Sequence, residues 1–219
     1  MSELSGRVRG VVNTPTPAGA SGRWSVRAVN KYVGAGVWPP LALGAFESIA
    51  TVTVGGGGAS SIEFTSIPAT YQHLQVRWIL QSNRGTYATD NLYIRLDGDT
   101  GTNYASHRLR GDGATAAAFN GTSQAQVYGA GVIGTTQQAN NFGAGVMDIL
   151  DYASASKNKT LRIFAGKDNN GTYAGVGGYV NLISGLYFAT PAAVSSITVI
   201  ANNGNLQEHS TAALYGIKA

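Results

Sequence analysis

The chain has 219 residues, enough for one sizeable domain or a domain with an extension, and carries 30 glycines, 12% charged side chains and no cysteine. The missing cysteines exclude disulfides, thiol catalysis and cysteine-ligated metals, the glycines follow no collagen period, and a hydrophobic fraction of 43% is too high for a disordered chain. The net charge of +4 sits wholly in residues 1–40, where Arg7, Arg9, Arg23, Arg27 and Lys31 face only Glu3, while the ten basic and ten acidic side chains beyond cancel; nucleic-acid binding by the main body therefore lacks its basic patch.

The N-terminal MSELSGRVRG lacks the apolar core of a secretory signal, and no apolar run in the chain is long enough to span a bilayer. Without disulfides to form, the expectation is synthesis in a reducing cytoplasm with no membrane insertion. Residues 5–22, SGRVRGVVNTPTPAGASG, are punctuated by Pro15, Pro17 and four glycines, which disfavour helix and interior strand alike. They predict an extended arm.

A short helix follows over about residues 25–33. Ser25 is placed as its N-cap, Val26, Val29 and Val33 recur on one face with Arg27 and Lys31 on another, and Trp24 and Val29 are spaced for a hydrophobic staple. Gly34 is positioned as the C′ residue, and Pro39 and Pro40 forbid continuation. Isolated helices under ~12–15 residues are marginal in water, so this one must dock. It can pack on its own chain or plug into a neighbouring subunit, and the reach of an extended arm favours the neighbour. Trp24, Val26, Val29, Val33 and Trp38 are the candidate anchoring residues.

From residue 46 the apolar period changes to two. LQVRWIL sets Leu74, Val76, Trp78 and Leu80 against Gln75, Arg77 and Ile79, and NLYIRL opposes Leu92, Ile94 and Leu96 to Tyr93 and Arg95. SSIEFTSI and TLRIFAG alternate in the same way, and further strands are expected at 46–54, 104–109, 124–133, 143–150, 176–188, 196–201 and 211–217. Loops rich in Gly, Asn and Asp separate them. The reading is an all-β fold: an antiparallel β-sandwich of jelly-roll-like type over 46–219, preceded by an arm over 1–45, with a closed barrel as the alternative and strand order open. NRGTYA at 83–88, NNGTYA at 169–174 and the looser GTNYA at 101–105 put Tyr87, Tyr173 and Tyr104 in loops. Tyrosine beside Gly and Asn suits adaptable recognition surfaces and is equally common in plain turns, so these are candidate ligand contacts.

Catalytic patterns are sparse. GAGVIG at 129–134 matches G-x-G-x-x-G, but this glycine content supplies roughly half of such a match by chance, and no helical period follows to offer a phosphate a helix N-terminus. His73, His107 and His209 are too scattered to suggest a metal site. DGDTGTNY opens like a calcium loop with Asp97 and Asp99 at positions 1 and 3. It lacks Gly at position 6 and has Arg108 at position 12, which favours an Asx-type turn. Asp148 and Asp151 end an apolar strand with no second group to form a catalytic pair. No cofactor, metal or catalytic residue is expected, and the chain is read as a non-enzyme.

Residues 46–78 (FESIATVTVGGGGASSIEFTSIPATYQHLQVRW), 91–113 (NLYIRLDGDTGTNYASHRLRGDG) and 210–219 (STAALYGIKA) resemble virion structural proteins of tailed bacteriophages, often described as tail-fibre proteins. GASGRWSVRAVNKYVGAGVWP at 19–39 is similar to a W-S-(L/V)-x-x-(V/A)…G-x-W-P segment of phage appendage proteins. Trp24, Trp38 and the LYGI of Leu214 to Ile217 match the family's positions; the family has no shared ligand residues to carry over. The resemblance implies a virion component assembled in the bacterial host cytoplasm, homotrimeric as phage fibre and decoration proteins often are. Its arm would anchor it to another virion protein of the tail, neck or baseplate. Alternatives are a capsid decoration (cement) protein and a host-glycan-binding recognition module that uses the tyrosine loops.

Overall fold

Ser25 sets the start of the helix. The structure, a computed structural model, describes residues 7–8, 11–12, 15–16, 20, 24–38, 45–85, 87–134, 140–170 and 177–218. It separates into two units, Met1–Gly44 and Ala45–Ala219.

In the first unit, β1 (Arg7–Val8) pairs antiparallel with β2 (Val11–Val12), a two-residue ladder within the segment read as extended. Helix α1 (Val26–Gly34) follows. The Ser25 hydroxyl accepts a hydrogen bond from the Ala28 N–H at 3.2 Å, relieving one of the helix's unpaired donors. The helix stops differently from expectation: Gly34 is its last residue, Ala35 caps it in a right-handed conformation, and Gly36 takes the left-handed one at φ +70°. That turn carries the chain back, so the Val37 and Trp38 N–H groups both donate to the Tyr32 carbonyl at 3.1 and 3.2 Å.

The second unit holds twelve strands: β3 (Phe46–Thr53), β4 (Ser61–Phe64), β5 (His73–Ser82), β6 (Thr89–Leu96), β7 (Tyr104–Gly111), β8 (Ala116–Gln124), β9 (Val127–Gly134), β10 (Gly143–Leu150), β11 (Lys159–Lys167), β12 (Tyr179–Tyr187), β13 (Ile197–Ala201) and β14 (Thr211–Ile217). The larger layer runs β3-β14-β5-β10-β11-β12-β7-β8 and the smaller β4-β13-β6-β9. Among the described residues every pairing is antiparallel but one: the last two residues of β5, Gln81 and Ser82, pair parallel with Ile133 and Gly134 of β9 and join the layers. β3, β4 and β8 each have a single partner, so the layers do not close into the barrel that alternation also allowed.

The period-two pattern works as read. Leu74, Val76, Trp78 and Leu80 are buried, and so are Leu92, Ile94, Leu96, Leu161 and Ile163, while Ile79 and Phe164 face outward. Side chains of the two inner faces merge into one core. Close approach needs glycine at two places, one between neighbouring strands of the larger layer and one between the layers. A Cβ on Gly145 would lie 2.4 Å from the Trp78 indole, and one on Gly131 would lie 1.4 Å from the Tyr179 hydroxyl oxygen. GAGVIG is thus a buried core strand of β9 whose glycines admit neighbouring side chains.

Two strand boundaries depart from the sequence reading. The strand expected at 124–133 is β9 and begins at Val127, β8 before it was not expected, and the strand expected at 176–188 begins at Tyr179. β8, AAAFNGTSQ, has neither alternation nor β-branched enrichment until Thr122; its partner β7 holds it as an edge strand.

Candidate binding pocket

Eight strands facing four leave the far end of the larger layer, β7 and β8, without a covering layer, since β9 packs over β10, β11 and β12 and reaches only β7. A cavity of about 600 Å³ opens there between β7–β8 and β6–β9. Arg108 and Arg110 enter it from β7, and Arg84 from the β5–β6 connection. Phe119, Tyr93, Tyr128 and Tyr179 supply rings, and among the described residues no acidic side chain lines it.

Arg108 is the best-fixed of these groups. Its guanidinium carbon lies 4.0 Å from the Phe119 ring centroid and 4.1 Å from that of Tyr128, so the cation is sandwiched between two aromatic faces. Its Nε is buried with no hydrogen-bond partner. A buried donor left unpaired costs about 1–3 kcal/mol. Arg110 lies 5.5 Å from the Tyr179 ring and 4.0 Å from an Asp112 carboxylate oxygen. Arg84 stacks on Tyr87 at 4.1 Å, donates to the Thr89 carbonyl at 3.2 Å and lies 3.8 Å from Asp90.

The floor is a phenol relay. Tyr179 hydrogen-bonds Tyr128, whose hydroxyl donates to Asn91 Oδ1 at 3.3 Å. Burial pushes both phenols up, so they stay neutral donors throughout the physiological range. Behind Tyr179, the Lys167 ammonium lies 4.8 Å from the ring and donates to the Gly177 carbonyl at 3.1 Å; burial pulls its pKa down. Tyr179 can sit here only because Gly131 leaves room for its hydroxyl.

Of the tyrosines expected as ligand contacts, the structure describes Tyr87 and Tyr104, and they differ in exposure. Tyr104 is fully buried: its hydroxyl donates to the Leu96 carbonyl and accepts from the Leu96 N–H, both at 3.1 Å, and its ring stacks on Tyr187 at 4.7 Å. It is a core residue closing the β6–β7 turn, which corrects its reading as a ligand contact. Tyr87 is exposed and covered on one face by Arg84. Tyr173 lies outside the described residues.

Of the anchoring residues, Trp24 stands edge-on to Tyr32 at 5.6 Å and to Trp38 at 5.2 Å, forming an aromatic cluster inside the first unit. Both indoles are half-buried, Val29 likewise, while Val26 is 78% and Val33 56% exposed. The valine stripe and the tryptophan cluster are therefore separate faces of one small element.

The remaining sequence candidates are structural. Asp99 Oδ1 accepts from the Gly101 N–H at 2.7 Å, the Asx turn that the DGDTGTNY spacing favoured, and Asp97 Oδ1 receives the N–H groups of Ser195 and Ser196. Asp151 pairs with Lys157 at 2.6 Å and Gln72 at 2.7 Å, its N–H donates to His73 Nδ1, and Asp148 accepts from Gln75 at 2.8 Å. Among the described residues no three His, Cys, Asp or Glu side chains gather as a metal site. No helix among them is long and apolar enough to cross a membrane. A buried acid that sequence reading missed, Asp90, accepts from the Ser82 hydroxyl at 2.8 Å and the Asn91 and Asn203 N–H groups, tying the end of β5 and the start of β6 to the β13–β14 loop.

Arg108, Arg110, Phe119, Tyr128 and Tyr179 were missed as a group. The available signal was SHRLR at 106–110, where two arginines share a strand face; alternation alone does not say that this face turns inward. Comparison with known proteins found no match for this chain: no family model, no curated protein and no solved structure.

Proposed function

We propose that the chain is a non-enzymatic structural component of a tailed-bacteriophage virion, a β-sandwich brick that associates with copies of itself and is anchored to another virion protein by its N-terminal arm. The observation that carries this reading is an apolar row across the outer face of the larger layer. Phe164, Leu182 and Leu109 are cross-strand neighbours on β11, β12 and β7, and each is more than half exposed, at 57%, 58% and 53%. Val180 and Ile79 lie on the same outer face at 51% and 55% exposure. Contiguous exposed apolar surface of this kind marks contact sites in soluble proteins. A low charge content supports the reading, since few ions must be desolvated where such faces meet.

The family resemblance of residues 19–39, 46–78, 91–113 and 210–219 supplies the virion setting, and the exposed Val26 and Val33 suit an arm that buries its valine stripe on a partner. A homotrimer made in the host cytoplasm is the favoured form. Light scattering coupled to size exclusion tests the self-association. The wild-type chain elutes as a multiple of 22.6 kDa and a Phe164→Lys, Leu182→Lys double variant as the folded monomer. A wild-type chain that stays monomeric at tens of micromolar protein contradicts it.

A further inference from the structure

We infer that the pocket between β7–β8 and β6–β9 is a binding site for an acidic saccharide, with the sugar's acid group on Arg108 and Arg110 and its hydroxyls on the surrounding amides. The inference is independent of the assembly reading: it concerns the inner edge of the larger layer, and the apolar row lies on the outer face.

Three observations carry it. First, the lining holds three arginines and no acid among the described residues; Arg84 and Arg110 each have a carboxylate nearby, at 3.8 and 4.0 Å, so Arg108 is the cation that most favours an anion. Second, Arg108 is pre-organised: its guanidinium carbon is held at 4.0 and 4.1 Å from the Phe119 and Tyr128 rings while the residue lines the cavity, where its terminal Nη edge can meet a planar acceptor. A carboxylate satisfies that edge with two parallel hydrogen bonds, and Arg110 on the same strand face stands beside it.

Third, the rest of the wall is neutral and hydrogen-bonding in both senses. Asn91, Asn120, Gln124 and Gln126 offer amides, and Thr89 and Ser106 hydroxyls. An amide donates and accepts, as a sugar hydroxyl does, so such a wall reads a polyhydroxylated ligand in place of an extended apolar one. A volume of about 600 Å³ lies within the range of small-ligand sites and admits a disaccharide-sized ligand. The tyrosine rings are held in edge contact and phenol hydrogen bonds, Tyr93 lying edge-on to Tyr128 at 6.2 Å, which gives the pocket a rigid wall.

The test is calorimetric titration of the full-length protein with three probes at low salt: digalacturonate, the neutral disaccharide lactose, and inorganic phosphate. Loss of a charge-assisted bidentate contact is worth roughly tenfold or more in affinity, so digalacturonate is expected to bind at least ~10-fold more tightly than lactose and to weaken as salt rises. Arg108→Gln is expected to remove that preference, and Arg162→Gln, on the outer face of β11, to leave it intact. If Arg108→Gln does not fold by circular dichroism, Arg110→Gln carries the same expectation. Equal affinity for lactose and digalacturonate overturns the role of the acid group. Phosphate binding as tightly as digalacturonate overturns the saccharide. Absence of binding by all three, or a digalacturonate affinity unchanged in the folded arginine variant, overturns the site.

Discussion

At the scale of single residues, the molecule depends on places where a side chain occupies space that glycine leaves open. Gly131 is the sharpest case, because its missing Cβ is where the Tyr179 hydroxyl sits. Gly131→Ala is expected to cost about 1–3 kcal/mol through forced displacement of Tyr179, read by denaturant unfolding, and to disturb the pocket floor as well. Ordinary strand scales would call that substitution harmless or better; a variant as stable as the wild type contradicts the close approach. Tyr104 gives a second residue-level expectation. Burial raises its phenol to about 12 from 10. A raised value means that the folded chain holds the proton more tightly, so the associated stabilisation is complete below pH 10 and is lost as pH rises from 10 through 12. A shift of this size corresponds to roughly 3 kcal/mol at most, and Tyr104→Phe should show a correspondingly shallower fall in unfolding free energy over that window. Parallel profiles for the two proteins would place the titration elsewhere.

Elements differ in how far the sequence discloses them. β5, β6 and β11 were legible because apolar residues alternate with polar ones over a full strand, and a single buried face leaves only one register. β8 was not, since AAAFNGTSQ has no intrinsic strand preference and is held by pairing to β7. The start of α1 was legible in Ser25; its end was not, because Gly34 and Gly36 both qualify as terminators and only the return of Trp38 onto Trp24 selects Gly36. Tyr32, which that cluster needs, carried no signal in the valine period. The pocket was the least legible feature. It is assembled from β6, β7, β8, β9 and β12, and no local pattern announces that Arg108 and Phe119 face each other. At this scale, Ser25→Ala removes the cap of α1 and should lower the helix's stability by about 1 kcal/mol, seen as faster amide exchange at residues 26–30 with exchange in β5 unchanged. Equal exchange rates in the two proteins would mean that the cap contributes nothing.

For the whole molecule, the net charge and the apolar row fall in different units. The net charge lies entirely in residues 1–40, and the twelve-stranded unit is neutral with an apolar row on its outer face. The account joins these into one claim: the sandwich is a self-sufficient brick, and the arm is the part that attaches it. The sandwich owns a complete core drawn from both layers, so residues 45–219 alone should fold. The most direct measurement is incorporation of that fragment into virions, made by complementing a phage that lacks the chain and quantifying the protein in purified particles. The account predicts a soluble, cooperatively melting fragment that is absent from particles, with the full-length chain present at constant stoichiometry. Incorporation of residues 45–219 at the level of the full-length chain would contradict it.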